Sequence, residues 1–166
     1  MMRILGIDPG SRFTGFGIIE VSDGRTLHVH QGVIKAGSGE FPERLGIIFS
    51  GVSALIDEFG PDEFAIENVF VSKNASSALK LGQARGAAIC AAIAKNLPVS
   101  EYSPRSVKQA IVGRGSADKV QIQHMVTVLL QLKEKPLEDA ADALAVALCH
   151  QHTQQTTERM QALQQR

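Results

Sequence analysis

Four carboxylates occupy places where a folded chain rarely tolerates an unaccompanied charge. Asp8 ends the run Arg3-Ile4-Leu5-Gly6-Ile7-Asp8, and Glu67 ends Phe64-Ala65-Ile66-Glu67. Both runs are nearly all apolar and of strand length, so they read as strands buried on both faces. Asp139 and Asp142 lie three residues apart, hence on one face of a helix. The rest of that helix (Ala140, Ala141, Ala143 to Leu148) is apolar nearly all round, so it is expected to be buried. Acids enter such surroundings only when something pairs with them, and acids crowded together are forced to protonate. A hard divalent cation relieves both conflicts. Carboxylate oxygens suit Mg²⁺, which keeps positions open for water and phosphate oxygens. A pair of such ions can activate water and stabilise the leaving oxygen of a phosphodiester. Taken singly the acids have plainer readings. Asp8 can be a turn former, Asp139 a first-turn acid favoured by the helix dipole, and Asp142 the partner of a base; Glu67 is the hardest to explain. As a set they favour a metal-dependent site. Glu138 reads as a solvated neighbour.

The elements that must position these acids can be read from periodicity. Arg3 to Asp8, Phe13 to Val21 and His28 to Lys35 read as three strands joined by the turn signals Pro9-Gly10-Ser11 and Asp23-Gly24. Leu45, Ile48, Phe49, Val52, Leu55, Ile56 and Phe59 form the stripe of an amphipathic helix with Pro42 in its first turn and Gly60-Pro61 as its stop. Phe64 to Val69 is a fourth strand, Asn74 to Asn96 a long Ala/Gly/Ser helix, and Val99 to Tyr102 a fifth strand. Ser103-Pro104 opens a helix, and Ser116 is expected to cap the next, with Ile122, Met125, Val126 and Leu129 facing the core. The last helix runs from Leu137 to about His150. The order βββαβαβααα suggests an α/β domain over residues 1–152, a five-stranded mixed sheet flanked by helices. Residues 153–166 read as a polar tail, a frayed helical end or a disordered segment. Cys90 and Cys149 read as buried reduced thiols. No apolar run reaches the length of a membrane span and no signal peptide is read at the start, so an intracellular, cytoplasmic address is expected. The five histidines are given no role.

Charge bears on the partner. Seventeen basic and seventeen acidic residues cancel, which taken alone argues against nucleic acid. The distribution is uneven. From Lys73 to His124 there are eight bases (Lys73, Lys80, Arg85, Lys95, Arg105, Lys108, Arg114, Lys119) and two acids (Glu101, Asp118). Such a segment can present one face to a polyanion or simply scatter solvated lysines. Lys108 and Lys119 are the main candidates for holding phosphates, with Arg114 between two glycines as another. Arg12, Lys73, Lys80 and Arg85 are further candidates. Phe70, just past Glu67, is either a core aromatic or a platform for an unpaired base.

In this order the motifs resemble the RuvC family of Holliday junction resolvases. The resemblance rests on Ile4-Leu5-Gly6-Ile7-Asp8-Pro9-Gly10-Ser11-Arg12, on Phe64-Ala65-Ile66-Glu67 with Val69-Phe70, on Asn74 through Gly86, and on Asp139-Ala140-Ala141-Asp142-Ala143. It covers the chain from Ile4 to about His152. It implies an RNase H-like fold and a homodimeric, Mg-dependent crossover junction endodeoxyribonuclease. Such an enzyme cuts four-way DNA by paired symmetric nicks in recombination and repair, leaving 5′-phosphate and 3′-hydroxyl ends. It further implies that Asp8, Glu67, Asp139 and Asp142 are the catalytic, metal-holding acids. Two Mg²⁺ per subunit are expected during catalysis, with Mn²⁺ as a substitute. By the same resemblance Phe70, Lys108 and Lys119 meet the DNA, and a branch-migration complex of the RuvA and RuvB type is the partner. Asn68 stands where Gln is expected and Phe16 where Tyr is common. Three other readings compete: a nucleotide-binding ATPase lobe around Asp8-Pro9-Gly10-Ser11, a non-catalytic DNA-binding module, and a nuclease for RNA–DNA hybrids. The first needs two related lobes, and the second would have no use for four acids.

Overall fold

The computed structural model describes residues 1–68 and 74–165. In chain order these form β1 (Met2–Asp8), β2 (Phe13–Ser22), β3 (Arg25–Lys35), α1 (Phe41–Phe59), β4 (Glu63–Glu67), α2 (Ala75–Ala94), β5 (Val99–Tyr102), α3 (Pro104–Val112), α4 (Lys119–Leu129) and α5 (Glu138–Gln164). The strands make one sheet in the order β3-β2-β1-β4-β5. The β1–β2 and β2–β3 pairs are antiparallel; β4 lies parallel to both β1 and β5. This is the mixed, helix-flanked sheet expected from the element order.

Side-chain alternation along the strands divides the interior in two. Leu5, Ile7, Phe16, Ile18, Phe64 and Ile66 meet Ile48, Val52, Leu55 and Ile56 of α1 and the alanines of α2 on one face. Ile4, Ile19 and Ala65 face α5 on the other, with α3 and α4 completing that layer through Val107, Ile111, Ile122, Val126 and Leu130. Of the stripe expected on α1, Phe49 is largely exposed. The αL cap at Gly60, whose N–H donates to the Ile56 carbonyl at 3.0 Å, ends that helix where the Gly-Pro signal placed it.

Several expected boundaries move. The third strand begins at Arg25 rather than His28, because Asp23 and Gly24 both take positive φ (52° and 73°) and form a turn tight enough for Ser22 to pair with Arg25. Asp118, not Ser116, caps α4. Its carboxylate accepts from the Gln121 N–H while the Gln121 side chain accepts from the Asp118 N–H, a reciprocal box that Ser116 is too early to make. Leu130 rather than Leu129 fills the core at the end of α4. The last helix continues past His150 to Gln164, with Thr153, Thr156 and Thr157 each bonding back to the carbonyl four residues earlier at 2.9 Å. Cys149 is buried, but Cys90 is exposed on α2. No helix among the described residues is long and apolar enough to cross a membrane.

Candidate active site

Two strand ends and one helix build the site. The parallel register pairs Ile7 with Ile66, so the next residues, Asp8 and Glu67, end neighbouring strands side by side. By alternation both point to the α5 face, in line with Gly6 and Ala65. The helix reaches them because glycines of β1 and β2 lie beneath it. A Cβ on Gly15 would lie 2.0 Å from the Asp139 carbonyl oxygen, one on Gly6 2.2 Å from that of Ala143, and one on Gly17 2.6 Å from the Leu144 side chain. The backbone of α5 therefore rests on the backbone of β1 and β2. Gly15 is the register partner of Asp8, so the turn carrying Asp139 and Asp142 arrives beside that acid.

The four carboxylates line a single cleft of about 270 Å³ with Lys108, Lys119, Pro104, Val107, Ile122 and Ala145. Burial, followed by repulsion from Glu67, pushes the Asp8 carboxyl up to about 9. Burial also raises Glu67, against the opposing pull of a hydrogen bond from Asp8 and of Lys108 and Lys119. Burial and the Glu67 charge raise Asp142 to about 6. Without a cation, then, Asp8 keeps a proton and donates it to Glu67. No three His, Cys, Asp or Glu side chains among the described residues are drawn to the spacing a held ion imposes. The donor set, all oxygen with a proton to displace, fits a hard divalent ion.

Of the expected DNA-contacting residues, the structure brings Lys108 and Lys119 into the cleft. The Lys119 ammonium pairs with Glu138, which raises its pKa and gives Glu138 a partner the plain solvated reading did not foresee. Arg114 is exposed in the α3–α4 loop, outside the cleft lining. Arg12 lines a separate shallow hollow with Phe13, Lys35, Gly37 and Ser38. The Lys80 ammonium sits 5.9 Å from the Phe41 ring centre. Phe70 and Lys73 lie outside the described residues.

Two supports went unread in the sequence. Arg85 of α2 donates through Nε to the Glu67 carbonyl at 3.2 Å and pairs with Glu101 of β5. It gives the backbone oxygen at the end of β4 a side-chain donor. Arg44 of α1 donates twice to the Ser11 carbonyl, at 2.7 and 3.1 Å, and so holds the turn that follows Asp8. Neither is visible from spacing, since each bridges elements distant in sequence. The strand glycines carried a signal of close approach, but not of what approaches.

A mixed 3-2-1-4-5 sheet with acids at the ends of its first and fourth strands and on the covering helix defines the class, an RNase H-like nuclease. Residues 4–150 match the family model of crossover junction endodeoxyribonuclease RuvC. A crossover junction endodeoxyribonuclease RuvC from Aeromonas hydrophila is 59% identical over 155 residues, covering 93% of this chain and 90% of that one. Its counterpart from Methylococcus capsulatus is 55% identical over 166 residues, the whole of both chains. The structure of T. thermophilus RuvC in complex with Holliday junction substrate superposes with a TM-score of 0.84 at 37% identity, over 90% of this chain and 93% of that one. The chain belongs to the RuvC family of crossover junction endodeoxyribonucleases, whose chemistry depends on a divalent metal ion.

Proposed function

We propose that this protein resolves four-way (Holliday) DNA junctions in recombination and repair by paired symmetric nicks. Its catalytic acids are Asp8, Glu67, Asp139 and Asp142. The observation that carries the reading is the convergence of four carboxylates from three separate elements on one cleft bordered by two lysines. These four side chains would hold the metal. Mg²⁺, two per subunit and replaceable by Mn²⁺, supplies the Lewis acidity that activates water and stabilises the leaving oxygen when bound.

The protein's own groups do the rest. Asp8 and Glu67, fixed on strand ends, and Asp139 and Asp142, on the rigid helix, would fix where the metal meets the reacting phosphate. Lys108 and Lys119 neutralise phosphates at the rim of the cleft. Arg114, Arg12, Lys73 and Lys80 extend the contact along the DNA arms, and Phe70 stacks on a base at the crossover. Two symmetric cuts need two sites related by a two-fold axis, hence a homodimer. Leu79, Gly82, Gly86, Cys90 and Ile93 line one side of α2 at helical spacing; Leu79 and Ile93 are 69% and 57% exposed. A Cβ on either glycine would meet open space, so this outward face suits a second copy of the helix. We place the protein in the bacterial cytoplasm beside a branch-migration complex of the RuvA and RuvB type, with residues 1–152 as the nuclease domain.

The test is a synthetic four-way junction with Mg²⁺ or EDTA, run beside linear duplex. Paired nicks on the junction alone, Mg²⁺-dependent and sealed by ligase, are expected. Equal cutting of duplex, or cutting in EDTA, would overturn the proposal.

A further inference from the structure

The catalytic reading makes no use of the buried His150. His150 of α5 is 3% exposed and lies between two partners on the sheet. Its Nδ1 is 2.6 Å from the Tyr102 hydroxyl of β5, and its Nε2 meets a Glu63 carboxylate oxygen at the start of β4. Gln154, one turn further along α5, donates to the same oxygen at 2.5 Å. Glu63 accepts, so Nε2 donates to it, while Nδ1 and the tyrosine hydroxyl share the second hydrogen bond. Both ring nitrogens of the buried histidine are thereby satisfied inside the α5 layer, where leaving one unpaired is costly.

The positions of these residues suggest what the network does. Glu63 and Glu67 are the two ends of β4 and point to the same face, four residues and roughly 13 Å apart. His150 and Asp142 lie eight residues apart on α5, roughly 12 Å along its axis. Glu63 meets His150 at one end, and Glu67 shares the cleft with Asp142 at the other. The two spans match, so helix and strand are joined by one rung at each end. Tyr102 ties the rungs together, since it is the register partner of Glu67 on β5 while its hydroxyl reaches His150. The glycine seat fixes α5 against β1 and β2, but β4 offers it only Ala65 between the two glutamates.

We propose that Tyr102, His150 and Glu63 form a register pin that sets the separation of Glu67 from Asp142. They are positioning residues for the carboxylates that hold the metal. The inference rests on the four-acid reading above.

Tyr102→Phe removes one oxygen and keeps the ring; Glu63→Gln keeps the shape of its side chain. Ile48→Val, on the opposite face of the sheet, controls for lost stability. In both pin variants Mg²⁺ affinity, measured by calorimetry on the DNA-free protein, and kcat on a four-way junction should each fall about tenfold. KM for the junction should stay within about twofold. Pin variants that lose only thermal stability, as Ile48→Val does, while keeping Mg²⁺ affinity and kcat would overturn the proposal. Asp142→Asn separates the two readings. If it keeps Mg²⁺ affinity and cutting, the four-acid site is wrong and the pin falls with it. If it loses both while Tyr102→Phe and Glu63→Gln lose neither, the pin alone is wrong.

Discussion

The two faces of the sheet are packed by opposite means. On the α1/α2 face large branched side chains interdigitate: Leu5, Ile7, Ile18, Phe64 and Ile66 against Ile48, Val52, Leu55 and Ile56. On the α5 face glycines at 6, 15 and 17 let backbone meet backbone. A layer of side chains can repack around a lost methyl group; a backbone seat has nothing to rearrange. The first face stores stability and the second stores position. It is the second that carries Asp8, Glu67, Asp139 and Asp142.

The sharpest way to break that contrast is to remove one of the cleft acids, because function and stability should then move in opposite directions. Asp8→Asn should cut junction turnover by at least about 10³-fold while leaving junction binding intact. The metal-free protein should nevertheless melt at a higher temperature. The Asp8 carboxyl is raised from 3.8 to about 9 and Asp142 from 3.8 to about 6, so the folded state binds protons more tightly than the unfolded one. Stability without metal is therefore fullest below about pH 4 and declines as pH rises, to about 6 for Asp142 and about 9 for Asp8. Asn carries no such cost. Calorimetry in EDTA should show the variant ahead of wild type at pH 8, by about 2–4 °C per kcal/mol relieved, and level with it at pH 4. A variant less stable than wild type at pH 8 would mean that burial does not hold the Asp8 carboxyl protonated.

A matched pair of substitutions tests the seat itself. Gly15→Ala places a methyl group against the Asp139 carbonyl, where a Cβ would lie at 2.0 Å. Overpacking of this kind costs about 1–3 kcal/mol, and displacing Asp139 by about an ångström should lower kcat about 10²-fold. Ile48→Val on the other face should cost about 0.5–1.5 kcal/mol with turnover per folded molecule unchanged. If Gly15→Ala lost stability yet cut normally, the seat would be ordinary packing.

This contrast also explains how much could be read from the sequence. The acids were legible because charge inside apolar runs is rare, and the α1 stripe because its period is unambiguous. The seat was not: a strand glycine announces that something comes close without naming it. The bracing roles of Arg85 and Arg44 were not legible because their acceptors are backbone carbonyls far along the chain. Ser116 and Asp118 both suit an N-cap, and only the reply from Gln121 chooses between them. The length of α5 was underestimated because its Gln/Thr run looks like a tail; no glycine or proline stops the helix there, and its threonines turn back to their own backbone.

Lys119 offers the smallest and most discriminating test, since it stands on the positional side of the molecule yet is itself exposed and paired with Glu138. A lysine that contacts one phosphate displaces about one counterion. Lys119→Ala should therefore weaken junction binding and reduce the slope of log affinity against log salt by about one. Glu138 competes with that phosphate. An exposed ion pair is worth about 0.2–1 kcal/mol, so freeing the ammonium by Glu138→Gln should tighten binding by no more than about fivefold at low salt. The gain should vanish in Lys119→Ala/Glu138→Gln, where no ammonium is left to release. A gain that survived in the double variant would come from removing a negative charge near DNA, not from Lys119, and the cleft lysine would lose its assigned role.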